Sequence, residues 1–161
     1  KPQISKAVEF GYHDFAQPAG GCCFLTNERY TSKLQDLWRS RGAREYDLDD
    51  IMLLKVGRHL RPRDHFKLII ARDEGESRFM SGYRKQFSWF SPTSHRGPLA
   101  LVYGELRNAS DWQLAARIVA RFSQGRAAAE VTLDAAMPGD EASSIKVEPL
   151  DVDEIEQSWY V

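Results

Sequence analysis

The segment from Lys55 to Ala71, KVGRHLRPRDHFKLIIA, decides the fold. Its apolar and β-branched residues fall into two short runs, and Pro62-Arg63-Asp64 between them has the composition of a turn. The segment therefore predicts two strands joined as a hairpin. Four further stretches have strand-like composition: QFSWFSP, PLALVYGEL, AEVTLDA and SSIKVEP.

Other stretches of the chain have apolar residues at helical spacing. We predict a helix after Thr26 or Asn27 that runs to Gly42, a short one after Asp47, and a third within RDEGESRFMSGYRK. The clearest pattern covers residues 110–122, with Ser110 as the expected cap, and a short acidic helix is expected over 151–158. Strands and helices in no strict alternation predict an α+β fold: a mixed, mostly antiparallel sheet packed against about four helices.

The first residues suggest a piece of a longer protein. The chain begins Lys-Pro rather than with Met, and residues 12–25 lack periodicity and contain Gly20-Gly21. We interpret residues 1–25 as a connector from an absent N-terminal domain, and residues 26–161 as one domain with an acidic C-terminal segment. No stretch approaches the roughly 18 apolar residues of a membrane span, so we expect no membrane partner.

Cys22 and Cys23 are the only two cysteines, and adjacent cysteines do not form an ordinary disulfide with each other. A cytoplasmic, reduced protein is therefore expected. The sequence leaves open whether the two thiols are chemical or structural. A working thiol needs a lowered pKa, whereas free cysteines are often simply buried.

Charge is distributed unevenly along the chain. Residues 29–126 carry 19 Lys and Arg against 11 Asp and Glu, whereas residues 127–161 carry one Lys against nine acidic residues. Such asymmetry is typical of a polyanion-binding body with an acidic tail, although two ordinary solvated surfaces would give the same counts. Basic residues also alternate with aromatic ones in the centre of the chain, as on surfaces that bind phosphates and stack on unpaired bases.

Catalytic signatures are missing from the sequence. It contains no phosphate-binding Walker loop, dinucleotide fingerprint or nucleophile elbow. Its four histidines lack the spacing of zinc ligands on a helix. We therefore expect no metal site, no cofactor and no catalytic activity in this chain by itself.

Three segments carry a family resemblance: PAGGCCFLTNERYTSKLQDLW, DDIMLLKVGRHLR and FKLIIARDEGES. They resemble the C-terminal region of bacterial tRNA-thiolation enzymes of the ATP-pyrophosphatase family, similar to 4-thiouridine synthetase and 2-thiouridylase. This region is in turn similar to the NFACT-R RNA-binding domain. One departure is Ala71-Arg72-Asp73, where the family has Gly-Arg-Asn.

The resemblance implies a tRNA-binding module of a thiouridine-forming enzyme. Its partners would be tRNA, an N-terminal ATP-pyrophosphatase domain and a sulfur-donor protein, and the parent enzyme would use ATP and an iron–sulfur cluster or a persulfide. Cys22 matches the family's Gly-Gly-Cys and is the expected catalytic thiol, acting only within the parent enzyme. The expected RNA contacts are Lys55, Arg58, His59, Arg61, Arg72, Arg84 and Lys85.

Two other functions remain open at this point. The acidic tail and Trp159-Tyr160 would suit a protein-interaction module that docks the catalytic domain or the sulfur donor. The fragment could instead contribute Cys22 to an active site shared with the missing domain.

Overall fold

The computed structural model describes residues 6, 8–11 and 27–161. The expected connector over residues 1–25, with Cys22 and Cys23, therefore lies largely outside the described part of the chain. In residues 27–161, four α-helices accompany six strands, which confirms the predicted α+β class. The helices are α1 (Glu28–Arg41), α2 (Leu48–Lys55), α3 (Glu74–Ser81) and α4 (Ala109–Arg121).

All six strands form one sheet, in the order β1-β2-β4-β3-β5-β6, and every pairing is antiparallel. The strands are β1 (Arg58–Arg63), β2 (Phe66–Ile70), β3 (Trp89–Pro92), β4 (Ala100–Gly104), β5 (Val131–Ala136) and β6 (Ser143–Val147). The hairpin expected over residues 55–71 is present as β1 and β2, with a register shift between Leu60 and Arg63. Its turn lies at Asp64-His65 rather than at Pro62-Arg63-Asp64, because Pro62 and Arg63 still belong to β1.

The main core lies between one face of the sheet and α4. Ala116 and Val119 on α4 are fully buried, and the ring of Trp112 packs 5.2 Å from that of Phe90 on β3. This is the apolar face of α4 that the sequence predicts. The cap is different: the Asn108 side chain, not that of Ser110, accepts a hydrogen bond from the backbone N–H of Asp111, because the helix begins two residues earlier than a Ser110 cap would place it.

Helices α1, α2 and α3 cover the opposite face of the sheet. Leu53 of α2 and Met80 of α3 pack on Ile69 and Leu101 in a second apolar cluster. The predicted caps Asn27 and Asp47 are both observed. Asp73, where the resembling family has Asn, caps α3 through the backbone N–H of Glu76, so the substitution keeps a capping oxygen.

The C-terminal segment does not form the expected acidic helix. It contains two short 3-10 turns, Val152–Glu154 and Gln157–Trp159. The backbone between them is extended at Ile155, which lets both Ile155 and Trp159 pack against the main core. Beyond them, Tyr160 forms a single antiparallel β-bridge with Leu60 of β1.

Candidate nucleic-acid interface

A cleft of about 1010 Å³ opens at one end of the sheet. Register brings its parts together, because Ile70 at the end of β2 pairs with both Arg58 at the start of β1 and Ala100 at the start of β4. The beginning of α3 and the end of α4 complete the same end of the molecule. Five arginines line this cleft: Arg58, Arg72, Arg96, Arg121 and Arg126.

The cleft has a net positive charge. Two carboxylates, Asp73 and Glu74, face the five arginines, which leaves a surplus of three positive charges. Glu74 lies 3.5 Å from Arg78 and 3.6 Å from Arg96, and all three side chains are more than 70% exposed. Exposed ion pairs of this kind contribute little to stability. The guanidinium of Arg96 is therefore available to an anionic ligand.

Two loops form the cleft wall around Arg96, and glycine is required where they meet. A Cβ atom on Gly97 would lie 2.6 Å from Pro92 and 2.7 Å from the Cβ of Ser123, closer than side chains pack. The backbone N–H of Gln124 donates to the carbonyl of Arg96 at 2.8 Å. This contact holds the loop before β4 beside the end of α4, where Arg121 and Arg126 lie.

The structure separates the predicted RNA contacts of the hairpin by strand alternation. Arg58 points toward α4, and its guanidinium lies 5.6 Å from the Phe122 ring centroid. Arg61 points to the opposite face, where its Nε and Nη2 atoms donate to the carboxylate of Asp36 at 2.5 and 2.8 Å. The chain bends at Gly57, with φ of 70°, but the bend does not gather Lys55, Arg58 and Arg61 on one side.

His59 lies in the interior. It is 2% exposed, and its Nε2 lies 3.2 and 3.1 Å from the carbonyl oxygens of Leu53 and Val56. Burial, followed by the nearby cations Lys67 and Lys33, holds the pKa of His59 well below its usual value. A neutral, enclosed imidazole presents no surface to RNA in this structure, so we leave it out of the proposed contacts.

The remaining predicted contacts differ in position. Arg72 lines the cleft and pairs with Glu76 while its side chain stays 48% exposed. Lys55 is exposed at the end of α2, and its carbonyl oxygen lies 3.5 Å from a guanidinium nitrogen of Arg72. Arg84 and Lys85 follow α3 and do not line the cleft, and the Arg84 guanidinium covers the Trp89 ring at 4.2 Å.

Arg96, Arg121 and Arg126 line the cleft but are not among the contacts predicted from the sequence. An arginine in the last turn of a helix is ordinary, because it complements the helix dipole, so Arg121 gives no separate signal. Only the sheet topology brings the end of α4 beside Arg58 and Arg72, more than 48 residues away in sequence.

The described residues lack a ligand set of the kind that a metal ion needs. Within residues 6, 8–11 and 27–161, no group of three or more His, Cys, Asp or Glu side chains is placed to hold a metal ion. The same residues contain no helix that is both long and apolar enough to cross a membrane.

An antiparallel sheet with helices on both faces and a cationic cleft at one end defines a small domain suited to binding a polyanion. The chain belongs to the family of NFACT protein RNA binding domains, whose model matches residues 57–160. It is therefore an RNA-binding domain. No curated protein sequence matches it.

The fold is similar to that of a solved structure. It is the C-terminal region of the fibronectin/fibrinogen-binding protein from Streptococcus suis, similar with a TM-score of 0.54 and 17% identity. The similarity covers 66% of this chain and 49% of that chain, about half its length. At this identity the likeness concerns the fold alone.

Proposed function

We propose that the arginine cleft is the RNA-binding surface of this domain and that its RNA is tRNA. The observation that carries the location is the convergence of five arginines on one concave surface. Arginine side chains replace the counterions of RNA phosphates, and the released counterions drive association. The family supplies the ligand class, and the resemblance of most of residues 19–133 to tRNA-thiolation enzymes supplies the choice of tRNA.

The test compares two double variants that remove the same charge. Arg96→Ala with Arg126→Ala empties part of the cleft, whereas Arg39→Ala with Arg107→Ala removes two exposed arginines that do not line it. We expect the first variant to bind tRNA more weakly and the plot of log affinity against log salt to become shallower by about 2, because each lost phosphate contact lowers the slope by about 1.

Gel-shift titrations of labelled tRNA between 50 and 200 mM salt measure both quantities. The control variant should retain nearly the affinity and slope of the unmodified protein. Equal weakening by the two variants would place the RNA elsewhere. Absence of binding by the unmodified chain at low salt would reject tRNA binding altogether.

We further propose that the domain is a non-catalytic part of a tRNA sulfur-transfer enzyme. This rests on the sequence resemblance, with an ATP-pyrophosphatase domain as partner and Cys22 as the expected catalytic thiol. Cys22→Ser in the full-length protein should abolish thiolation and leave tRNA binding by the domain unchanged. Unaltered thiolation by that variant would remove Cys22 from the chemistry.

Protein docking through the acidic tail has less support. Trp159 packs against the domain's own core, and Glu154 accepts a hydrogen bond from Arg117 of α4 at 3.1 Å. The segment is thus held by its own domain, and we prefer RNA as the ligand.

A further inference from the structure

The cleft is lined by two kinds of side chain. Besides the five arginines it has an apolar wall, made of Val152, Ile155 and Tyr160 beside Phe122. Val152 is 59% exposed and Tyr160 is 44% exposed. Large apolar groups left in water beside a charged surface are typical of ligand contact, and phosphate binding by itself gives them no use.

Tyr160 is held in place by its backbone rather than by its ring. The residue bridges to Leu60 of β1, and the next N–H, that of Val161, donates to the carbonyl of His59 at 3.1 Å. Trp159 on its other side packs against the main core. A fixed backbone with an exposed ring is preorganised for contact, because little conformational entropy is lost when a ligand binds.

A second planar group lies on the same wall. The guanidinium of Arg58 lies 5.6 Å from the Phe122 ring centroid, and both residues line the cleft. Guanidinium planes and aromatic rings are the groups on which proteins stack unpaired RNA bases. The cleft therefore combines stacking surfaces with phosphate-binding groups.

We propose that this wall, centred on Tyr160, stacks an unpaired base of the RNA whose phosphates the arginines bind. The inference rests on the proposed function and narrows its substrate class to RNA with unstacked nucleotides. Paired bases inside a duplex present their edges, not their faces, to a protein. The cleft volume of about 1010 Å³ is that of a site for a small ligand, which suits one or a few nucleotides.

The experiment uses the full chain and two labelled probes at one salt concentration: a single-stranded RNA oligonucleotide and a blunt duplex containing the same strand. Tyr160→Ala should bind the single strand about 5- to 150-fold more weakly, the range expected from loss of one base–aromatic stack. Duplex binding should change less than about twofold, because phosphate contacts are retained. Tyr160→Phe should bind both probes as the unmodified protein does.

Tyr46→Ala is the matched control, because Tyr46 is 51% exposed and does not line the cleft. A 2-aminopurine in the single strand gives an independent reading, since its fluorescence falls when it stacks. That quenching should be present with Tyr160→Phe and lost with Tyr160→Ala. Tyr160→Leu keeps the backbone bridge and the apolar bulk without a ring, and it replaces the alanine variant where the latter unfolds.

Equal loss of single-strand and duplex binding in Tyr160→Ala would overturn base stacking and leave the arginine cleft as an RNA site. Unchanged single-strand affinity would overturn it as well. Failure of the proposed function has a different signature, in which the unmodified chain binds neither probe or the Arg96/Arg126 variant binds both normally.

Discussion

The arginines near α1 and α2 and the arginines of the cleft differ in the partners that they have and in how deeply those partners are buried. On the α1–α2 side, Arg41 and Arg61 donate to the buried carboxylates of Asp50 and Asp36 at 2.7 and 2.5 Å. In the cleft, Arg96 lies 3.6 Å from the exposed Glu74. The comparison teaches that partner and burial, not residue type, decide whether a cation serves the fold or a ligand.

The buried side is a connected network. Asp36 also accepts from the Lys67 ammonium at 2.9 Å, and Tyr103 donates its hydroxyl to Asp50. Burial raises the pKa of Asp36, but hydrogen bonds from Arg61 and Lys67 outweigh burial and hold the pKa below its usual value. Such groups are already satisfied, so moving them to RNA would leave a buried charge unpaired.

Removal of the Asp36 carboxylate should give the largest loss of folding stability. Asp36→Ala strands the Arg61 guanidinium and the almost fully buried Lys67 ammonium, and removing one partner of a buried ion pair costs about 3–5 kcal/mol. Urea unfolding measures this loss, with Asp140→Ala in an exposed turn as the control. A loss below about 1 kcal/mol would show that the cations are solvated.

Arg58 and Arg61 allow the most direct comparison of the two kinds of arginine, because they are only three residues apart on β1. Arg61→Ala removes charged hydrogen bonds to Asp36 and should cost about 1.5–3 kcal/mol of stability with RNA affinity kept. Arg58→Ala should cost less than about 1 kcal/mol, the size of an exposed cation–π contact, and should reduce the salt slope of RNA binding by about 1.

Unfolding and gel-shift titrations on the same two proteins test this pair. Weaker RNA binding by folded Arg61→Ala, with Arg58→Ala unaffected, would reverse the assignment of the two faces.

The smallest expected effect concerns His59 and the pH dependence of the free energy of unfolding. Its pKa in the folded protein lies below the value of 6.5 for an unperturbed histidine, so the unfolded chain binds the extra proton as pH falls. The stability that comes from this difference in pKa is then present above pH 6.5. Below pH 6.5 it is lost progressively, by up to about 1.4 kcal/mol per pH unit. His59→Gln keeps donors for the two carbonyl oxygens and cannot titrate.

Unfolding free energies at pH 7.5, 6.5 and 5.5 should therefore fall less steeply for His59→Gln than for the unmodified protein. Parallel curves would mean that the imidazole binds its proton equally well in the folded and the unfolded chain, which would contradict the lowered pKa.

Local chemistry made most of the fold predictable. The hairpin over residues 55–71, the caps at Asn27 and Asp47, and the apolar stripe of α4 each depend on neighbours in sequence. The C-terminal segment was not predictable in this way, because its form depends on Ile155 and Trp159 reaching a core that distant strands build.

The sequence predicted the type of candidate site but only some of the residues that line it. Basic and aromatic composition indicated an RNA surface, and Arg58 and Arg72 do line the cleft. Which basic residues meet there depends on strand alternation and sheet order, so Arg61 falls on the other face while Arg121 and Arg126 enter from α4. A count of charges along the chain contains no such information.

The bridge between Leu60 and Tyr160 also has a consequence for self-association. β1 is an outer strand of the sheet, and an outer strand with unpaired N–H and C=O groups is a template for a strand of another molecule. The bridge covers part of that edge, and Pro62 removes one donor from it. The segment that carries Tyr160 thus also covers part of this edge, so we expect its removal to promote edge-to-edge association of neighbouring copies.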